Sequence, residues 1–407
     1  MKYKKILNSL LVLALSGTMV WTAGCARLSQ RLKPSPKPVL EKVRPSEYPA
    51  FLDDMALDGL EHGVAQSLAF YNRVPQTRKF KFGEDLFDAR HMIQTLEHFL
   101  AFIRTRPDSR QLRQFVADNY WVYRSVGGKK SGRVLFTGYF EPILYGLNEK
   151  SPEYRFPVSA RPEDIVSINL SRFSKKYKGD TIVGRVTDHK VIPYYDRKAI
   201  ESHGALDGKV KVLAWVNNPV DPFFLQIQGS GKIYLDTGEV LNVHYHMTNG
   251  HPYRSIGKLL IDKNKIPREK MSMQAIRSYL QEHPDEIEEI LNYNPSYIFF
   301  KTEKDAPIGY IEVKLTPGRS VALDRRIFPH GALGFIEAQK PLIDGSKKIH
   351  EWVDCSRFVL NQDTGGAIRG PGRADLFWGN GPYAEIAAGH LRHHGNLYLM
   401  VLKPKDE

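Results

Sequence analysis

Apolar positions along the chain follow three successive patterns. Phe51, Met55, Leu57, Leu60, Val64, Leu68 and Phe70 recur at helical spacing and predict a helix over that stretch. Leu86, Met92, Ile93, Leu96, Phe99 and Ile103 predict a second helix from about 84 to 105, and a third spans 109–119. At Gly132 the period changes. Residues 134–140 read as a strand that ends in Thr137-Gly138-Tyr139-Phe140-Glu141-Pro142, a strand-to-turn signal. The middle mixes strand candidates at 209–216, 223–228, 232–235 and 241–245 with helices at 255–263 and 272–282. Pro284, a favourable first helical residue, opens another helix to about 292. After Pro295 strands dominate, at 297–301, 309–315, 319–323, 333–338, 352–362 and 396–402, with one helix at 384–392. The pattern predicts a mainly β protein with α+β character: N-terminal helices, an α+β middle and a β-rich end.

The first residues break this pattern. Lys2, Lys4 and Lys5 precede an interrupted apolar run from Ile6 to Trp21, and residues 1–24 contain no acid. The run falls short of the ~20 apolar residues of a membrane span and reads as an export signal. Ala23 and Gly24 lie directly before Cys25, which resembles a bacterial lipoprotein signal in which Cys25 is acylated. Pro34, Pro36, Pro38, Pro45 and Pro49 mark residues 25–50 as an extended tether.

Composition narrows the class. The 407 residues are 42% hydrophobic and 25% charged, which fits a folded chain with a real core. Two cysteines exclude a disulfide framework, and Cys355 reads as a small buried apolar residue. The formal charge of +13 becomes +10 once the three signal lysines are removed, so the exported part suits an anionic partner. Export makes nucleic acid a poor candidate for that partner.

The standard signatures fail one by one. Gly229-Ser230-Gly231-Lys232 lacks a phosphate loop's first Gly, where Gln226 stands, and its Ser or Thr, where Ile233 stands. Gly370-Pro371-Gly372 meets Asp375 where a dinucleotide fingerprint needs its third Gly. Neither G-x-S-x-G nor H-E-x-x-H occurs. His244 and His246, or His390, His393 and His394 on one helical turn, have no Cys or carboxylate at ligand spacing. The expectation is no metal and no diffusible cofactor.

Carboxylates in a glycine-rich setting carry the chemical signal. Asp324-Arg325-Arg326 closes one strand, Asp363-Thr364-Gly365-Gly366-Ala367-Ile368-Arg369-Gly370 follows another, and Asp375-Leu376-Phe377-Trp378 comes soon after. Gly365, Gly366, Gly370 and Gly372 permit positive φ and close backbone approach around an extended polymer. Phe377 and Trp378 offer flat faces for sugar rings. Aspartates gathered from separate strands keep one carboxyl protonated near neutral pH, the requirement for acid catalysis at a glycosidic bond. The same segments are also turn-formers whose carboxylates bond local backbone.

Several ordered motifs resemble the membrane-bound lytic murein transglycosylase A family with its three-aspartate domain. They are Thr137-Gly138-Tyr139, residues 225–231, Asn249-Gly250-His251-Pro252-Tyr253-Arg254-Ser255-Ile256-Gly257, residues 271–276, Asn294-Pro295-Ser296-Tyr297, Ala322-Leu323-Asp324-Arg325, residues 363–368 and Asp375. The resemblance implies a double-psi β-barrel domain from residues 51–145 and 295–407, with a second β-rich domain, 146–294, inserted at a substrate groove. It implies a peptidoglycan lytic exotransglycosylase that cuts between N-acetylmuramic acid and N-acetylglucosamine and leaves 1,6-anhydromuramic acid ends. Asp375 is then the acid and base, with Asp363 beside it as a tuning or sugar-binding carboxylate. Asp324, Thr137, Tyr139, Gln228, Ser230 and Tyr253 are the expected substrate contacts. The implied partners are glycan strands, the membrane through the Cys25 lipid, and other cell-wall enzymes, at the periplasmic side of the outer membrane. A two-aspartate hydrolase and a non-catalytic wall-binding lipoprotein remain open alternatives.

Overall fold

The β-rich end of the chain closes on itself through a strand from before the α+β middle. In a computed structural model describing residues 38–128, 132–304 and 307–404, six strands form a ring. They are β1 (Val134–Glu141), β2 (Ser320–Ala322), β3 (Leu333–Ile343), β4 (Ile349–Asp363), β5 (Arg373–Asn380) and β6 (Arg392–Leu402). Around the ring the order is β1, β5, β2, β4, β3, β6. β6 returns to β1 antiparallel, from Arg392 opposite Thr137 to Gly395 opposite Val134. The β1–β5 and β2–β4 pairs are parallel, and the other neighbours are antiparallel. Closure leaves the ring no bare edge. Phe136, Phe358, Leu360, Leu376 and Leu399 are buried in the core.

The expected signal segment and Cys25 lie outside the described residues. Residues 38–50 do not behave as a tether. Leu40–Lys42 pairs with Tyr120–Ser125, which itself extends β6, and Leu40, Val43 and Tyr48 are buried. Pro45 opens a short 3-10 turn there. The apolar side chains between the prolines decide the outcome.

Three helices precede the ring: α1 (Leu60–Arg73) and α2 (Ala89–Ile103) pack on its strands, and α3 (Ser109–Asn119) packs on Tyr120–Ser125. The third agrees with its sequence pattern and has an Asp108–Gln111 capping box. The first is shorter than expected, because residues 54–59 form turns. Asp53 accepts both terminal nitrogens of buried Arg319 at 2.6 and 2.9 Å, plus backbone N–H groups of Met55, Leu57 and Phe358. Asp54 accepts Nη2 and Nε of Arg357 at 2.6 and 2.8 Å. Holding two guanidiniums takes precedence over helical periodicity. The second helix also starts late, because the alternating Lys79-Phe80-Lys81-Phe82 pairs with Asp85–Asp88 as a hairpin. Asp88 then caps α2 through His91 N at 3.0 Å.

Elsewhere, residues 223–228 fall in a helix, Val220–Gln228, and not a strand; a short buried apolar run fits either. Residues 309–315 form a turn, with Gly309 N–H donating to Val313 O. β5, which carries Asp375, is a strand that its glycine-rich flanks concealed.

β1 runs on through Pro142 into Ile143–Gly146, an outer strand of a four-stranded sheet. Ser230–Leu235, Val240–Thr248 and Ile298–Glu303 complete that sheet over a separate core of Leu144, Ile233, Val243 and Phe300. Asp53→Ala strands the Arg319 charge in the interior and is expected to cost about 3–5 kcal/mol by urea unfolding at neutral pH. Burial raises the Asp53 pKa, but Arg319 holds it below the ordinary 3.8. Wild-type stability from this pair is therefore present above that value and lost as pH falls through the folded pKa, so the difference between wild type and Asp53→Ala should shrink in acid.

Candidate active site

One row of residues crosses four strands of the barrel wall. Thr137 of β1 lies opposite Asp375 of β5, Asp375 opposite Ala322 of β2, and Ala322 opposite Asp363 of β4. Residues directly opposite share a sheet face, so the four side chains stand side by side. A β-bulge makes this possible. Val321 pairs with Asn361 and Ala322 with Asp363, so Gln362 is skipped. The Gln362 side chain turns to α1 and donates to Gly63 O and Ser67 Oγ at 2.8 and 3.0 Å. Ala322, with only a methyl group, leaves room between the two carboxyls.

The Thr-Gly-Tyr triplet serves both aspartates. Thr137 Oγ1 donates to Asp375 Oδ1 at 2.6 Å, and Tyr139 OH donates to Asp363 Oδ2 at 2.7 Å. Between them, a Cβ on Gly138 would meet Trp378 Nε1 at 2.6 Å, so only glycine lets β1 pack against that indole. Asp363 Oδ1 also accepts Tyr310 N–H and Thr364 N–H at 3.0 and 2.8 Å. Both oxygens of Asp363 are thus committed. Asp375 Oδ2 accepts no hydrogen bond among the described residues.

The protein environment favours neutral carboxyls here. Asp363 is raised to about 6, chiefly by burial and in part by the Asp375 charge, while its three donors pull the other way. Burial also raises Asp375, opposed by the Thr137 hydrogen bond and the Arg373 charge. Two neighbouring desolvated carboxyls resist ionising together, so one proton is retained into the near-neutral range.

The other expected residues are placed differently. Asp324 is buried, and its oxygens accept Arg326 Nε and Nη2 at 2.9 and 2.8 Å and Gly370 N–H at 2.8 Å. Burial opposes ionisation, yet these donors hold Asp324 at about 2. It pins the loop after Asp363 to the end of β2. Among the four loop glycines, Gly370 takes positive φ, +77°. Gln228 Oε1 accepts Phe140 N–H at 3.1 Å, beside Tyr139. Ser230 is buried opposite His244, and Tyr253 is half-exposed on the loop after Val240–Thr248. Phe377 and Trp378 do not present faces to sugars. They are 1% and 8% exposed, one packed on Tyr139 and the other on Tyr383.

The exposed aromatic groups near Asp363 are ones the sequence pattern missed. Tyr310 is half-exposed, its backbone binds Asp363, and the Arg325 guanidinium lies 5.2 Å from its ring centre. Arg325 has no carboxylate partner among the described residues. Its charge also reaches Tyr245 on the four-stranded sheet, where it partly offsets the upward push of burial on that hydroxyl. A turn with a strand-like apolar pattern conceals Tyr310, and an ordinary strand conceals Tyr245. His390 closes a helix while His393 and His394 sit on β6, so they do not share a helical turn. His393 lies tilted against Trp352, and His244 is pushed down to about 4 by burial and Lys301.

A closed β-barrel with two desolvated aspartates side by side in its wall is the framework of a carboxyl-using enzyme. Residues 135–301 match the MltA specific insert domain and residues 319–401 the 3D domain. The chain is 34% identical over 306 residues to membrane-bound lytic murein transglycosylase A of Escherichia coli K12, covering 74% of each chain. It is 33% identical over 282 residues to the Vibrio cholerae protein of that name, covering 68% of each. The chain belongs to the membrane-bound lytic murein transglycosylase A family. Among solved structures it resembles the Agrobacterium tumefaciens membrane-bound lytic murein transglycosylase (TM-score 0.72, 29% identity), covering 89% of this chain and 97% of that one. It also resembles E. coli MltA with bound chitohexaose (TM-score 0.68, 28% identity), covering 90% and 96%.

The coupling makes a spectroscopic prediction. Carbon-detected NMR of labelled aspartate should show one carboxyl titrating near pH 6. Asp375→Asn, by removing the neighbouring charge, should move that titration to lower pH; an unchanged value would mean the carboxyls do not interact.

Proposed function

We propose that the protein is a lytic murein transglycosylase that cuts peptidoglycan glycan strands and leaves 1,6-anhydromuramic acid ends. The carrying observation is the Thr137–Asp375–Ala322–Asp363 row, with one carboxyl oxygen uncommitted. Asp375 is the acid and then the base. Protonated, its free oxygen donates to the bridging oxygen between N-acetylmuramic acid and N-acetylglucosamine, the bond from C1 breaks, and C1 takes oxocarbenium character. The resulting Asp375 carboxylate accepts the proton of the muramoyl C6 hydroxyl as O6 bonds to C1. The proton count balances with a single carboxyl and no water. Asp363, held by Tyr139, Tyr310 and Thr364, is the neighbouring carboxyl that tunes Asp375: the two resist ionising together, so the pair retains one proton for the transfer. Thr137 orients the Asp375 carboxyl, and Arg373 Nη2 approaches the Thr137 oxygen at 3.4 Å.

The same resemblance supports a double-psi connectivity for the ring. In this proposal the barrel lobe comes from the segments on either side of an inserted lobe, and the expected bounds at 145 and 295 move outward, because Ile143–Gly146 and Ile298–Glu303 both pair into the inserted four-stranded sheet. Gln228, Ser230 and Tyr253 line the sugar groove from the inserted side. Asp324 assists by fixing the loop that follows Asp363. Acylated Cys25 holds the enzyme at the periplasmic face of the outer membrane. Hydrolysis by the two carboxyls would need water activated at a second group, about 5–9.5 Å from the acid, and would leave a reducing end.

Asp375→Asn, with an unchanged thermal melt, should lower turnover on sacculi by at least about 10²–10⁴-fold while glycan binding persists. Asp363→Asn should do less damage. Mass spectrometry of the digest distinguishes the products. If folded Asp375→Asn still makes anhydromuropeptides near the normal rate while Asp363→Asn does not, Asp363 is the acid. Cys25→Ala should shift the protein from the membrane fraction to a soluble or uncleaved form; unchanged fractionation and processing would remove the lipid anchor from the proposal.

A further inference from the structure

We propose that the outer face of a three-stranded sheet, together with its hairpin tip, docks on an anionic phospholipid surface. The sheet consists of Ile165–Asn169, Thr181–Thr187 and Lys190–Pro193, with Thr181–Thr187 central. Its register sets Ile168 opposite Ile182, Val166 opposite Gly184, and Val186 opposite Val191. Opposite and alternate positions share a face, so these aliphatic residues form one continuous surface. The reverse face is already satisfied, since Ile165 and Val183 pack with Tyr194, Tyr297 and Phe299. Among the described residues this face stays largely open, with Val166 and Ile168 half-buried. Ile182 is 46% exposed, Val186 61% and Val191 47%. Antiparallel sheets covered on one side ordinarily turn polar residues outward, and this one does not.

The loop joining the first two strands adds the charge. Residues 170–180 carry Arg172, Lys175, Lys176 and Lys178 against a single acid, Asp180. None of the four cations has a carboxylate partner among the described residues. Phe173, 76% exposed, and half-exposed Tyr177 stand among them. The loop has its own frame: Leu170 N–H donates to Asp180 O at 3.0 Å, and Ser171 Oγ accepts Gly179 N–H at 3.0 Å and donates to Tyr177 O at 3.2 Å.

Three kinds of occupant make different demands. A glycan strand needs hydrogen-bonding groups and aromatic platforms, and an Ile/Val face supplies neither. Protein interfaces are depleted in lysine, yet lysines make up most of the cations here. A bilayer surface matches both halves: aliphatic and aromatic side chains enter the headgroup boundary, while lysine and arginine meet anionic headgroups. This contact is independent of the catalytic reading and distinct from the proposed Cys25 lipid.

The test is hydrogen exchange read by mass spectrometry on the full chain, with vesicles of phosphatidylethanolamine and phosphatidylglycerol or of phosphatidylcholine alone. Anionic vesicles should protect residues 165–193, and neutral vesicles should not. Lys175→Glu with Lys176→Glu should abolish that local protection while exchange in the barrel strands stays as in wild type. Val186→Thr with Val191→Thr, which keeps the β-branched strand residues, should weaken it about tenfold in the lipid concentration required. The proposal is overturned if residues 165–193 exchange equally with and without anionic vesicles, or if neutral vesicles protect them as well. It is also overturned if protection without lipid rises with protein concentration, which would show that a second copy covers this face.

Discussion

The buried guanidinium of Arg319 fixes the strand that holds the two carboxyls apart. Arg319 directly precedes β2, whose three residues end at Ala322. It bonds Asp53 through both terminal nitrogens, Asp58 O through Nε, and Phe358 O through Nη1. Its own carbonyl accepts Leu360 N–H, which sets the register of β4 beside it. A strand this short has little pairing of its own, so the ion pair supplies the rigidity that a longer ladder would give. Loss of that register would bring Asn361 or Gln362 to the row in place of Asp363.

From this follows a division of labour between two chemically identical side chains. Asp363 is surrounded by three donors and cannot turn, whereas Asp375 has one donor and one open oxygen. Thr137 and Tyr139 make that distinction from a single strand, two residues apart on one face. Gly138 faces the other way and lets the strand come close to Trp378. One triplet therefore packs the wall on one side and arranges the acids on the other. Asp324 contributes at one remove, as a strongly acidic group held by Arg326 and the backbone of Gly370.

Much of this was legible in the sequence, and the exceptions have physical causes. Helical and strand periods located α3, β1, β3, β4 and most of the four-stranded sheet, where one covered face imposes a clean pattern. The pattern failed where a side chain was engaged far away in the chain. Asp53 and Asp54 interrupt a helical period because their partners, Arg319 and Arg357, lie some 270 and 300 residues on. β5 was concealed by flanking glycines, and with it the burial of Phe377 and Trp378. Asp363 and Asp375 stood out as acids among glycines, but the ring topology was needed to put Ala322 between them. Tyr310 carried no local signal, since its position depends on a turn docked against Asp363.

Ring closure also gives the chain an order in time. β6 hydrogen-bonds β1 and β3, so the wall is complete only when residues 392–402 have arrived. Asp375 meets Thr137 in a pairing between segments separated by well over half the protein, the kind of contact that forms late in folding. A chain delivered from its N-terminus, whether by a ribosome or through a membrane pore, therefore cannot close its wall until residues 392–402 arrive. It acquires its aspartate pair only once residues 373–380 have joined a strand delivered more than two hundred residues earlier, and the architecture itself acts as a delay.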